Sequence, residues 1–115
     1  MIITKTIFCD LDGTLIVHHG NFLDTINREP TWLPGAKEQI FEWNRLGYRI
    51  FITTGRPSSY REETEAALKK LGIPYEQLIM DCGNGERIIV NDRKSDGTIT
   101  ASSINLNRNE GFIDG

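Results

Sequence analysis

Apolar residues along this chain come in short runs divided by polar turns, and the spacing of the runs switches between two periods. Thr4 to Cys9, with Ile7-Phe8-Cys9 apolar in a row, predicts a first buried strand. From Ile16 to Trp32 the residues His18, His19, Gly20, Asn21, Asp24, Asn27 and Pro30 break any period, and a loop is expected. Ala36, Ile40, Trp43 and Gly47 then fall on one helical face, so Pro34 to Leu46 predicts a helix, with Pro34 in its first turn and Gly47 just past its end. Tyr48 to Thr53 carries Ile50-Phe51-Ile52, the continuous run expected of a strand covered on both sides. Ser59 to Glu62 has the spacing of a capping box, and a helix should follow to Leu71, with Gly72 and Pro74 beyond it. Gln77 to Met80 suits a short third strand, and Cys82 to Gly85 a turn. Arg87 to Asn91, carrying Ile88-Ile89-Val90, reads as a further buried strand that ends at Asp92. Asp96-Gly97 marks a turn, and Thr98 to Leu106 a last strand of weak alternation.

Strands alternating with helices predict an α/β fold: a Rossmann-like, three-layer α/β/α arrangement around a mainly parallel sheet. In such sheets ligands bind outside the carboxyl ends of the strands. Asp10 and Asp12, Thr53 and Thr54, and Asp92 each end a predicted strand, so the fold should gather them on one edge. One connection strains this scheme. Only Cys82 to Glu86 link the third and fourth predicted strands, where a helical crossover needs a dozen residues or more.

Composition narrows the class. At 115 residues the chain is long enough for one core, and a single domain over 1–115 is expected. The net charge of −3 leaves no electrostatic footprint for nucleic acid. No apolar run approaches a membrane span, and Met1-Ile2-Ile3-Thr4-Lys5 lacks the layout of a signal peptide. Cys9 and Cys82 lack metal-ligand spacing and form no disulfide framework, which fits a reducing cytoplasm. Adjacent His18 and His19 read as exposed loop histidines; the alternative is that one of them lines a substrate pocket, because their loop starts beside the paired acids.

The chemistry centres on Asp10-Leu11-Asp12-Gly13-Thr14-Leu15. Two like charges at the end of an apolar strand are costly unless something neutralises them, and a hard divalent cation with oxygen ligands does so. This stretch resembles the first motif of the haloacid dehalogenase superfamily, most of whose members are magnesium-dependent phosphotransferases. By that resemblance Asp10 is the nucleophile that forms an aspartyl-phosphate, and Asp12 the general acid and base. Gly13 and Thr14 amides would bind phosphate oxygens. Ile52-Thr53-Thr54-Gly55-Arg56 resembles the second motif, whose hydroxyl holds the phosphoryl group; Thr54 is assigned, with Thr53 the runner-up. Gly55 and Arg56 belong to the same phosphate-binding turn, Arg56 reading equally as a solvated loop cation. Ile88-Ile89-Val90-Asn91-Asp92 resembles the fourth motif. It makes Asp92 a ligand of Mg²⁺ together with Asp10 and the backbone carbonyl of Asp12, and Asn91 a partner for a metal-bound water. The third motif, a Lys or Arg beside the nucleophile, departs from the family. Lys69, Lys70 and Arg87 should lie at the wrong end of the sheet, which leaves Lys94.

Neither insertion point holds a domain-sized segment, so the resemblance is to capless members, whose open sites take extended substrates or are closed by a neighbouring subunit of a homo-oligomer. The expected activity is hydrolysis of a phosphomonoester, a sugar phosphate or related small phosphorylated metabolite, with no nucleic-acid or membrane partner. The competing classes are a non-catalytic metal- or phosphate-binding module and a phosphatase for a macromolecular substrate.

Overall fold

The computed structural model describes residues 4–112. Met1 to Ile3, part of the N-terminal stretch read above, lie outside them. Three strands form one parallel sheet in the order β1 (Thr6–Asp10), β2 (Arg49–Thr53), β3 (Gln77–Ile79). Thr6 stands opposite Arg49 and Asp10 opposite Thr53, while Phe51 stands opposite Gln77 and Thr53 opposite Ile79. The helix α2 (Ala36–Arg45) lies between β1 and β2 in sequence, and α3 (Arg61–Leu71) between β2 and β3. These helices supply the lengths that parallel pairing requires. The result is the expected Rossmann-like α/β architecture. Gly47 and Gly72 follow the two helices as predicted.

Partners across a parallel ladder point to the same face. Cys9, Ile52 and Leu78 therefore share one face with Ile50, and all four are buried. The core on that side also takes Leu11, Leu15 and Leu33, Ala36 and Ile40 from α2, and Leu68 from α3. The other face differs from the expectation of a strand covered on both sides. Phe8 is 54% exposed, stacks on Phe51 at 5.4 Å between ring centroids, and has exposed Ile79 two strands away.

Two local readings change. The stretch read as loop contains a short helix, α1 (Phe22–Asn27), which Asn21 caps by accepting the Asp24 N–H at 2.9 Å. The cap holds it without an apolar period. At α3 the capping box does not form: Ser58–Tyr60 is a turn of 3₁₀ helix, and Tyr60 precedes α3 without a side-chain cap.

The largest departure follows Cys82. Neither Arg87–Asn91 nor Thr98–Leu106 is a strand. Residues 88–106 form an exposed arm in which Ile88 is 75% and Val90 90% accessible. The arm folds back at Asp96-Gly97, where Lys94 N–H donates to the Thr98 carbonyl at 3.0 Å and Thr98 N–H to Asp96 Oδ1 at 2.9 Å. The physical reason lies in the short link. Cys82 to Glu86 leaves from the carboxyl end of β3 and is far shorter than the dozen or more residues a crossover takes to return to the amino end, where a parallel strand must begin. After the arm the chain returns to the body. Asn109 N–H donates to the Gly13 carbonyl at 2.9 Å, Phe112 N–H donates to the Pro34 carbonyl at 2.8 Å, and Phe112 meets Trp43 edge to face. Among the described residues no helix is long and apolar enough to cross a membrane.

Candidate active site

The site begins where β1 stops. Leu11 and Leu15 are fully buried and anchor a tight turn, in which Leu15 N–H donates to the Leu11 carbonyl at 2.9 Å and Gly13 N–H to the Ile16 carbonyl at 2.7 Å. Gly13 has φ +85°, a conformation that side chains disfavour, so glycine is what lets the backbone leave the strand so sharply. Leu11 faces the core, and the carboxylates on either side of it both line a cavity of about 520 Å³. Here the i, i+2 spacing does what it promised.

Asp10 is held from two sides. Thr14 Oγ1 donates to its Oδ2 at 3.0 Å, and Arg87 Nη2 lies 3.7 Å from its Oδ1. Burial pushes the Asp10 carboxyl above its ordinary range; Thr14 and Arg87 pull it down, and the charge on Asp12 raises it. Asp12 is tied more tightly. Arg56 donates from Nε to its Oδ2 and from Nη2 to its Oδ1, both at 2.8 Å, a two-pronged pair with the arginine only 4% exposed. A third bond runs from Arg56 Nη1 to Thr64 Oγ1 at 3.1 Å, and that hydroxyl donates to the Tyr60 carbonyl. No polar side-chain atom buried among the described residues lacks a partner.

The second predicted element arrives with β2. Thr54 is buried at the strand end and lines the cavity. Its N–H donates to the Ile79 carbonyl at 2.9 Å, and its hydroxyl accepts the Arg56 N–H at 3.1 Å. Thr53 instead pairs with Asp10 across the sheet and is not among the cavity's lining. Gly55 lines the cavity where the chain passes close beneath Gly83: an added Cβ would stand 2.7 Å from the Gly83 carbonyl oxygen. Gly13 and Thr14 lie behind the cavity, Gly13 against the Arg108 side chain and Thr14 on Asp10. His18, Asn84, Arg87 and Arg108 complete the lining used here.

The structure therefore brings together Asp10, Asp12, Thr54, Gly55 and Arg56. It does not bring Asp92, Asn91 or Lys94 to them within one chain. All three are exposed in the arm, where the Asp92 carbonyl accepts the Thr100 hydroxyl at 2.6 Å and Asn91 contacts Thr100. The expected placement of Asp92 assumed a strand that does not form. Arg87 stands beside Asp10, opposite to the expectation that it would sit at the wrong end, because the short link keeps it at the carboxyl edge. Arg108 carried no sequence signal; it reaches the site only because the chain returns through Asn109 to Gly13. Arg56, read equally as a phosphate contact and as a solvated loop cation, is buried on Asp12. His18 lines the cavity, as the alternative reading had it, fixed by its N–H donating to Asn109 Oδ1 at 2.7 Å.

Among the described residues no group of three or more His, Cys, Asp or Glu could hold a metal. The Asp10 carboxylate and the Asp12 backbone carbonyl are hard oxygen donors that still suit Mg²⁺, which takes one or two carboxylates and completes its shell with water and substrate oxygens. Burial disfavours the charged form of Asp10, and a cation beside it would offset that cost.

The profile of the haloacid dehalogenase-like hydrolases matches residues 7–114. The chain belongs to that family. No curated protein matches it significantly. Among solved structures it is similar to a chain of the Pnkp1/Rnl/Hen1 RNA repair complex, at 29% identity and TM-score 0.59, over 73% of this chain and 27% of the other. This family member thus spans about a quarter of that larger chain. A protein from Vibrio cholerae matches over 90% of this chain and 91% of its own, at 26% identity and TM-score 0.55. The D,D-heptose 1,7-bisphosphate phosphatase from B. bronchiseptica, solved with magnesium and phosphate, shares the fold at 18% identity and TM-score 0.51, over 85% of this chain and 56% of its own.

Proposed function

We propose that this chain is a Mg²⁺-dependent phosphomonoester hydrolase that works through an aspartyl-phosphate on Asp10. The observation that carries the reading is Asp10 itself: a carboxylate at the mouth of a cavity, flanked by a second carboxylate and by Arg87, with Thr54 on the adjacent strand end. An Asp10 oxygen attacks phosphorus, the ester P–O bond breaks, and the leaving oxygen takes its proton from Asp12. Water then attacks the phosphoenzyme and gives a proton back to Asp12, releasing inorganic phosphate and restoring Asp10. Each Asp12 oxygen uses one lone pair on Arg56, which leaves another to carry the proton. Arg56 orients that carboxylate, Thr54 and Arg87 hold phosphoryl oxygens, and Arg108 adds a third guanidinium to an anion-binding wall. Held by the Asp10 carboxylate and the Asp12 backbone carbonyl, Mg²⁺ would offset the charge between nucleophile and phosphate.

The substrate class favoured is a sugar phosphate or related small metabolite, supported by the open cavity and the acidic chain. A second reading, a phosphate carried on RNA, is supported by the likeness to the RNA repair complex. Phosphate release from a panel of sugar phosphates and end-phosphorylated RNA oligomers, with Mg²⁺ and with chelator, tests both. Chelator-sensitive release from sugar phosphates supports the first, and release from RNA alone replaces it with the second. No release from any compound by a folded, Mg²⁺-binding chain would reduce the protein to a binding module.

A further inference from the structure

We infer that the arm, residues 88–106, is exchanged between two copies of this chain. Each arm pairs along the free edge of the other copy's β1 and brings Asp92 of the partner subunit to Asp10 and Asp12. The role given to Asp92 rests on the function proposed above; the interface does not.

Among the described residues, two surfaces lack partners and match each other. One is the sheet at β1. It is an edge strand, and on its outer face Phe8 is exposed and stacks on Phe51. An open edge with apolar flanks is a template for another strand. The other is the arm, whose Ile88-Ile89-Val90 run has high β propensity and whose Ile88, Val90, Ile99 and Ile104 are all exposed. Ile88 to Asp92 against Thr6 to Asp10 sets five residues against five. In the parallel sense Val90 meets Phe8, Ile89 joins the buried side with Ile7, and Asp92 comes level with Asp10. Asn91 falls level with Cys9 at the end of the ladder, and a slip of one residue would turn Val90 away from Phe8.

The chain's own arm cannot make this pairing. In that register Arg87 would stand beside Lys5, about 16 Å along β1 from Asp10 at about 3.3 Å per residue. The structure holds the Arg87 guanidinium 3.7 Å from Asp10. Both roots of the arm, at Arg87 and at Asn109, are fixed at the carboxyl edge. The occupant is therefore a second copy, and the exchange is reciprocal about a two-fold axis.

Sedimentation of the full chain tests the interface without reference to activity. The expected result is a dimer that Val90→Lys converts to a folded monomer, since Val90 makes no contact the fold needs. A wild-type monomer at all concentrations, or a dimer that Val90→Lys leaves intact, overturns it. Co-expression of Asp10→Asn with Asp92→Asn chains then tests the shared site. Each variant alone is inactive, and random pairing restores one intact site in the mixed dimer, or about one quarter of wild-type turnover. No recovery beside an active wild type overturns the shared site. A wild type without turnover counts against the proposed function alone, and sedimentation still decides the exchange.

Discussion

Replacing Arg56 with Met removes the most heavily used side chain in the site. The guanidinium makes two charge-assisted bonds to Asp12 and one bond to Thr64, at 2.8, 2.8 and 3.1 Å. Methionine fills much of the same space, so the cavity contribution is small. What remains is an Asp12 carboxylate that is 16% exposed and has lost its counterion, and a Thr64 hydroxyl that is fully buried. Breaking a buried pair by removing one partner costs about 3–5 kcal/mol, because the other charge is left uncompensated. The residual access of water to Asp12 places the expected loss near the lower end, about 3 kcal/mol. For a chain of this size that is roughly a 10 °C fall in Tm. Urea denaturation followed by circular dichroism measures it, with an unchanged slope showing that the folded state stays compact. The double variant Arg56→Met with Asp12→Asn should recover about half of the loss, since no uncompensated charge remains. Arg56→Lys should retain only part of the stability, because an ammonium cannot span both oxygens. A loss below about 1 kcal/mol for Arg56→Met, or no recovery in the double variant, would refute the clamp.

Asp10 gives a pH test. Its folded carboxyl lies above the ordinary 3.8, chiefly through burial, so at neutral pH the metal-free fold bears an unfavourable charge that the unfolded chain hydrates. Asp10→Asn should therefore melt higher than wild type at pH 7 without metal. The gap should close as pH falls through the raised pKa and vanish below 3.8, where both states are protonated; a gap that widens in acid would contradict the sign. Burial, with Asp10 adding to it, pushes the Cys9 thiol up to about 12, while Cys82 is only partly buried. Iodoacetamide at pH 8 should label Cys82 alone in the native chain and both cysteines in urea, as peptide mass mapping would read. Gly55→Ala forces a Cβ against the Gly83 carbonyl and should cost about 1–3 kcal/mol in denaturation while displacing Asn84 and Arg87 at the cavity.

Much of this site was legible because its determinants are local. Asp10-Leu11-Asp12 needs only a strand end and one buried leucine to aim both acids into a cavity. Ile52 to Arg56 needs only the next strand end. The two helices were read from apolar spacing and terminal glycines, and they imply the parallel order. What could not be read depends on where the chain goes. Val90 looks like a core residue in any window, but whether a partner strand exists for it is decided by the length of the Cys82 to Glu86 link. That length also decides that Arg87, not Lys94, reaches the nucleophile. Arg56 was placed at the site by its position after β2, yet its hold on Asp12 is fixed by Thr64 one helical turn into α3. Arg108 enters through a return path that no periodicity encodes. Helix α1 rests on a cap between Asn21 and Asp24, a signal too short to stand out in a polar stretch.

The measurement closest to the central claim is capture of the phosphorylated protein. The chain is mixed with Mg²⁺ and an isotopically labelled phosphomonoester that it turns over, quenched in acid within a single turnover, and mapped by mass spectrometry. The account predicts a phosphoryl group on the peptide carrying Asp10, absent from Asp10→Asn, with phosphate release lost in parallel. Turnover with no labelled peptide, or release that survives Asp10→Asn, would contradict it.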